Sequence, residues 1–436
     1  MHKFFLIISL FIKIYSYNKT SLQFNFSLEL NKRNFIPYRL KFSAGKNISL
    51  SIPNLYDSKG LRINNGIGRS FLLFDNKGKE ITSFLKDYTI NSVMGYTLNK
   101  DKYYILDQGK IFQNNFNVEK NSPKIIICNN YGQDIKNYTF EGIPLDNHIL
   151  TDIAVDHQGK YAYIIDSGNL KLGNVYEPGI IVVDLLSDKK RFYKVLNNHK
   201  SFIGFESQQS KTNIDIYNLT GIDNIQISCD DETIYYSSSK KKELYSVSTK
   251  DILKAIEKFE SSKGNDNKVL QDIKVNIVAL NFKIKNFILS SKGNIFMINS
   301  DSKNVEVSFN LNSNLPSHNF EFDSKINLKD NIKLNQPCSL DIYNGTLYLL
   351  DKNLSDSFNL YFSDLKKDEY NSNMGCTIFF FKIDFSVIFL FVWFLIILVF
   401  AILIIIEKSW LQIENSNPME NEKEIKELNR KLNEED

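Results

Sequence analysis

A run of extended, aromatic-rich residues closing on Asp, Asn or Ser recurs along this 436-residue chain, and its spacing constrains the fold more than any other feature. YYILD ends at Asp107, AYIID at Asp166, IYYSS at Ser238, IFMIN at Asn299 and LYLLD at Asp351, with a weaker copy, ISLSI, ending at Ile52. The steps between copies are 55, 59, 72, 61 and 52 residues, so the chain repeats a unit of nearly constant length.

Each unit has the same grammar. An apolar inner run (IAV, IQI, FIL, LDI, YTL) precedes a tight turn and the aromatic-rich second run, and further extended segments such as GIIVVDLL and PKIIICNN follow. Short apolar runs separated by turn signals, without a 3.6-residue period between them, indicate antiparallel sheet. Four strands per unit and six units describe an all-β fold, a six-bladed β-propeller. A lone four-stranded sheet cannot bury both of its faces, so each copy needs two neighbours, and large β-forming side chains fill the space between them. The stretches DNKG (75–78), DHQG (156–159) and SSKG (290–293) fit turns in which Gly takes positive φ and the leading Asp or Ser bonds back to the backbone. Their acidic spacing is not that of a calcium loop.

The apolar share of 43% suffices for a large core, and 53 basic against 50 acidic residues give no support for binding nucleic acid. Three segments stand apart from the repeats. A basic start, the apolar run Phe4 to Ile12 and small Ser16 have the layout of a secretory signal peptide over 1–16. Phe385 to Ile406 is uncharged and apolar between Asp384 and Glu407, long enough as a helix to cross a hydrocarbon core of about 30 Å. The polar residues after it argue against a removable lipid-anchor signal. The expected organisation is a leader (1–16), a propeller ectodomain (17–376), a C-terminal single transmembrane helix (385–406) and a cytoplasmic tail (407–436). This is a single-pass type I membrane protein with its propeller at the cell surface or in the secretory lumen. Lys408 inside, against Lys366, Lys367 and Lys382 outside, gives the positive-inside rule little to act on, so orientation rests on the leader.

Cys128, Cys229, Cys338 and Cys376 all fall on the expected oxidising side, where three pairings are open. The same side carries sequons at Asn47, Asn137, Asn218 and Asn344, and also at Asn18, Asn25 and Asn353, which permit glycosylation in an Asn-rich chain without arguing for it. Residues 167–178 read as a hairpin extension, and 253–268 as a short amphipathic helix running into a polar linker. In the tail, Ile425, Leu428 and Leu432 have helical spacing, enough for a short helix and too short for a stable coiled coil.

A succession of blocks resembles the Yellow and major royal jelly protein family: NFIPYRL, NKDKYYILDQGK with SPKIIICNNYGQDI, and TDIAVDHQGKYAYIIDSG with GIIVVDLLSDKKRFYKV. LTGIDNIQISCDDETIYYSSSKKKELYSVSTKDIL and QPCSLDIYNGTLYLLDKN follow in family order, over about residues 34 to 356. The resemblance implies a secreted six-bladed propeller, with roles that include binding small amines or other ligands in a central channel, pigmentation-related activity in some insect members and protein assembly in others. Ser122-Pro123 stands where the family tends to have Cys-Pro-Pro, which puts a family disulfide in doubt, and a C-terminal span is atypical of its soluble members.

In a propeller the inner strands converge on the axis. Here they begin near Arg39, Met94, Asp152, Asn224, Asn286 and Ser339. One cation, one carboxylate, two amides and a hydroxyl suit a small polar ligand, with Asp152 a candidate partner for an ammonium group. The competing reading has these side chains closing the axis by bonding to one another and to buried water. No histidine spacing suggests a metal site, His157 reads as a turn residue, and His148 and His199 as loop residues near the mouth, of the kind usually exposed. No cofactor is implied. The expected function is a membrane-tethered propeller that binds a small ligand, such as an amine, or a surface protein partner. The alternatives are a lactonase- or tautomerase-type enzyme using Asp152, Asn224 and Asn286, and an adhesion module like the low-density-lipoprotein-receptor propellers, whose usual repeat Trp is missing at every copy.

Overall fold

The computed structural model describes residues 25–30, 37–43, 47–53, 70–109, 123–140, 145, 148–171, 174–176, 178–187, 191–197, 199, 201, 224–238, 241–290, 293–303, 305–308, 324–325, 334, 336–343, 346–352, 358–364 and 422–431. The first of its two compact units spans Met1–Cys376 and is all-β and propeller-like, built from antiparallel sheets.

Six sheets follow in chain order among the described residues. The first holds β2 (Arg39–Phe42), β3 (Ile48–Ser51) and β4 (Phe71–Phe74); the second β5 (Val93–Asn99), β6 (Lys102–Asp107), β7 (Lys124–Asn129) and β8 (Lys136–Thr139). The third holds β9 (His148–Val155), β10 (Tyr161–Lys171), β11 (Asn174–Tyr176), β12 (Gly179–Asp184) and β13 (Phe192–Val195). In the fourth are β14 (Asn224–Ile227), β15 (Thr233–Ser237), β16 (Glu243–Ser248) and β17 (Val275–Ala279), and in the fifth β18 (Ile284–Leu289), β19 (Ile295–Asn299), β20 (Val305–Ser308) and β21 (Ser324–Lys325). The sixth joins β22 (Gln336–Tyr343), β23 (Thr346–Lys352) and β24 (Phe358–Asp364) to β1 (Asn25–Leu30), the earliest described strand. Every copy of the recurring run is the second strand of its sheet's meander: β3, β6, β10, β15, β19 and β23.

The reason for apolar residues at successive positions lies in the alternation of side chains along a strand. In β10, Ala162 and Ile164 pack toward the second sheet, with Tyr104, Leu106 and Ile125, while Tyr163 and Ile165 pack toward the fourth, with Ile225, Ile234 and Tyr236. Neighbouring β12 divides in the same way, Ile181 and Val183 to one side, Ile180 and Val182 to the other. Hydrophobic clusters lie likewise between the first and second sheets, the fourth and fifth, the fifth and sixth, and the sixth and first. Each sheet thus covers both neighbours, and the burial of one such Ile or Tyr is worth about 1.5–3 kcal/mol.

The Gly-bearing turns form as the sequence implies. Asp75 Oδ1 accepts the Lys77 and Lys79 N–H groups at 2.9 and 2.8 Å, and Gly78 takes φ of 77°. The same turn recurs at Asp156/Gly159 and Ser290/Gly293, with the leading side chain accepting from Lys160 N and Asn294 N.

The helix expected from residue 253 starts earlier. It runs Thr249–Ser261 (α1), with the Ser248 side chain accepting from Asp251 N at its N-terminus. Capping by Ser248 and the acidic first turn explain the boundary. Ile252, Ala255 and Ile256 are buried against the third and fourth sheets, and Arg191 and Tyr193 bind Glu260, so the helix is fastened to the core.

In the second unit, Thr377–Asp436, residues 422–431 are helical and expose Ile425 and Leu428. Among the described residues no helix is long and apolar enough to cross a membrane. Phe385 to Ile406 and the expected leader, 1–16, lie outside the described residues.

Candidate functional site

The first strands of the sheets bring the five expected axial residues into one closed hydrogen-bond circuit. Ser339 Oγ in the sixth sheet accepts from Leu40 N in the first, at 3.1 Å. Beside Leu40, Arg39 Nη2 donates to Asp152 Oδ2 in the third sheet, also at 3.1 Å. Asp152 Oδ2 accepts from Ile225 N in the fourth at 3.2 Å, and neighbouring Asn224 Oδ1 accepts from Asn286 Nδ2 in the fifth at 2.9 Å. Asn286 Oδ1 then accepts from Leu340 N at 3.1 Å, which returns the circuit to the sixth sheet beside Ser339. All five side chains are buried.

The second sheet contributes backbone. Met94 O accepts from Ser51 Oγ at 3.0 Å, and that hydroxyl in turn accepts from Arg39 N. Next to it, Gly95 lies against the main chain of the third sheet: a Cβ there would stand 2.4 Å from Asp152 Cα and 2.9 Å from Thr151 O. Only glycine lets the two strands approach so closely. Met94, expected among the axial positions, is therefore held by its carbonyl.

This occupancy decides what the cluster can do chemically. Asp152 does not face a ligand with a bare charge, because Arg39 is its counter-ion, and its other oxygen accepts from Ile153 N at 3.0 Å. The carboxylate expected to meet an ammonium thus has Arg39 beside it. The oxygens of Asp152, Asn224 and Asn286 that a metal would need already accept from protein N–H groups. Among the described residues no group of three or more His, Cys, Asp or Glu stands together to hold a metal ion.

A second polar cluster ties the recurring Asp to its surroundings. Asp166 closes AYIID and is fully buried; it accepts from Gly168 N at 2.8 Å, from Lys194 Nζ at 2.7 Å and binds His148 Nδ1 at 2.8 Å. Burial alone would raise its carboxyl, but the bonds from His148 and Lys194 outweigh that and hold it below the ordinary value. Gln108 bridges this cluster to the second sheet, donating to His148 O and accepting from Leu150 N. His148 was expected as an exposed loop residue; it is buried within β9, paired through a bulge to the end of β10. Asp107, closing YYILD, has the same role, accepting from Gly109 N at 3.0 Å with Lys124 Nζ at 3.6 Å.

His157, the turn residue of DHQG, reaches the next sheet. Its Nδ1 lies 2.6 Å from Asp231 Oδ1, and this bond, against the opposing effect of partial burial, raises its pKa. His199 is half-buried with Nδ1 at 2.8 Å from Ser201 Oγ.

Cys229 is disulfide-bonded, whereas Cys128 carries no disulfide. Burial pushes the Cys128 thiol up to about 12, which leaves it without thiolate reactivity. Of the sequons, Asn137 is exposed and Asn47 is half-buried, while Asn218 and Asn344 lie outside the described residues.

These features define a propeller-like protein in which a buried polar circuit joins the first strands of the sheets. The chain matches the major royal jelly protein family over residues 99–377 and belongs to that family. No curated protein matches it. Two solved structures are similar in part. Kuenenia stuttgartiensis hydrazine synthase is 11% identical, with a TM-score of 0.42, covering 62% of this chain and 71% of that one. The β-propeller domain of Myceliophteria thermophila Cps50 (Swd1) is 10% identical, with a TM-score of 0.39, covering 74% and 82%.

Proposed function

We propose that this chain is a membrane-tethered six-bladed propeller, displayed at the cell surface or in the secretory lumen, that binds a small polar ligand or a surface partner without turning it over. The six described sheets are its blades, and the N-terminal strand β1 completes the last of them. The observation that carries the reading is the closed circuit through Arg39, Asp152, Asn224, Asn286 and Ser339. It sets no nucleophile beside a base, which favours binding over turnover, and a ligand enters it by exchanging with the bonds that the buried side chains make to protein groups.

The circuit also narrows the ligand. One guanidinium is matched by one carboxylate, so the cluster has no net charge to offer. An amine would have to displace Arg39 from Asp152 and leave a buried guanidinium without its counter-ion, a loss of about 3–5 kcal/mol. Neutral polar molecules, which can bond to amide and hydroxyl groups, avoid that cost.

The test is a thermal-shift panel on the ectodomain, residues 17–376, with amines, sugars and lipids, beside affinity capture of surface proteins. A sugar or other neutral polar compound that raises the melting temperature in wild type, and less in Asn224→Ala, supports the reading. Stabilisation by amines alone would reverse the ligand class. Silence in both assays would remove the reading altogether.

A further inference from the structure

A site outside the circuit lies on β8, the outermost strand of the second sheet. β8 carries the sequence Asn137-Tyr138-Thr139, and its alternation sends the three side chains to opposite faces. Tyr138 turns to the third sheet, where its hydroxyl donates to Leu185 O at 2.7 Å and its ring packs beside Phe140 and Leu145. Asn137 is exposed on the other face, and the Tyr88 hydroxyl donates to its Oδ1. That bond engages Oδ1, and among the described residues no hydrogen bond is made by Nδ2, the atom a glycosyl bond would use.

From this geometry we propose that Asn137 is an N-glycosylated residue of this protein. The inference rests on the lumenal placement proposed above. Glycosyl transfer forms a bond between the asparagine Nδ2 and the anomeric carbon of a lipid-linked oligosaccharide, with the lipid diphosphate leaving and the amide losing one proton. The oligosaccharide donor and its transferase are those of the secretory pathway, and the protein supplies only the acceptor.

Asn47 is the contrasting case. It sits half-buried between β2 and β3, and its backbone carbonyl accepts from Ser43 N at 3.0 Å. The hydroxyl residue of that sequon, Ser49, is fully buried: its Oγ donates to Lys41 O at 2.9 Å and accepts from the Tyr96 hydroxyl at 3.0 Å. The hydroxyl of the Asn47 sequon is thus tied up where the first and second sheets pack, whereas Asn137 is exposed.

The experiment expresses the full chain in a secretory eukaryotic host, releases glycans with an amidase in heavy-oxygen water, and maps the peptides by mass spectrometry. The expected result is an isotope-marked Asn-to-Asp conversion at Asn137 in most molecules, and little at Asn47. Thr139→Ala should remove the mark at Asn137 and Thr139→Ser should retain it, with the melting temperature of each variant measured alongside. An unmarked Asn137 peptide beside a marked Asn18, Asn25, Asn218, Asn344 or Asn353 would overturn this site while leaving the lumenal placement standing. No marked sequon anywhere would overturn both.

Discussion

Arg39 in the first sheet and Asp152 in the third meet at 3.1 Å, past the intervening second sheet, with side chains exposed by only 6% and 5%. Two sheets that are not neighbours in the chain order are therefore held by one ion pair, possible only where all inner strands approach a common axis. Desolvating both charges is costly, and the bonds from Ile225 N and Ile153 N to the same carboxylate offset part of that cost.

Breaking this pair from one side should destabilise the ectodomain by about 3–5 kcal/mol, since a buried charge is left without its partner. Arg39→Met and Asp152→Ala should each show it in urea unfolding, and the double substitution should cost much less than the sum of the two. Single-variant losses below about 1 kcal/mol would mean that water reaches the pair after all.

At Gly95 the smallest possible change has a large expected effect. Its Cβ would stand 2.4 Å from Asp152 Cα, and main chain cannot rotate away as a side chain can. Gly95→Ala should cost about 1–3 kcal/mol or more through displacement of β5 from β9. Gly95 does not take positive φ, so the loss reads the collision alone; a denaturation midpoint unchanged from wild type would contradict the close approach of β5 to β9.

The His157–Asp231 clasp predicts a pH dependence. The pKa of His157 is raised above 6.5, first by its bond to Asp231 and then by the charges of Asp231 and Asp156, with partial burial and Lys100 acting the other way. The imidazolium is thus favoured by the fold. Its contribution is complete below the unfolded value and is lost as pH rises through the higher folded value. The stability gap between wild type and His157→Gln should be widest near pH 6 and shrink above it. A gap that widens toward pH 8 contradicts the assignment.

Removal of β1 tests the closure. Residues Asn25–Leu30 pair antiparallel with Phe358–Phe362, so a chain starting after Leu30 leaves β24 as an open edge. Lower cooperativity in thermal unfolding and concentration-dependent association are the expected outcomes, read by calorimetry and light scattering. A truncated ectodomain that stays monomeric with an unchanged transition would show that β1 is dispensable.

That Arg39, Asp152, Asn224, Asn286 and Ser339 lie in the first strands of their sheets was legible from the repeat, although Asp152, Asn286 and Ser339 fall inside β9, β18 and β22 and not at their starts. What joins them was not. The Arg39–Asp152 bond links sheets that are not adjacent, and no local pattern encodes such a pair. His148 illustrates the same limit: its partner Asp166 lies at the end of the paired strand, and a bulge in that pairing sets which residues meet. Other signals were present and outweighed. Ser248, three residues before Asp251, marks the start of α1, but the apolar spacing of LKAIEKF drew the boundary inward. The role of NFSLEL as β1 had no such marker, because the strand it completes belongs to the last copy of the repeat.

The pairing of β1 with β24 has a mechanical consequence. Any tension on the chain beyond Asp364 falls first on β24, which is bonded along its length to β23 on one side and β1 on the other. A pull along that strand loads both rows of hydrogen bonds in shear, so they must fail together rather than unzip in turn. The earliest described strand thus acts as a clamp on β24, and a molecule tugged from its C-terminus resists in proportion to how much of that clamp is paired.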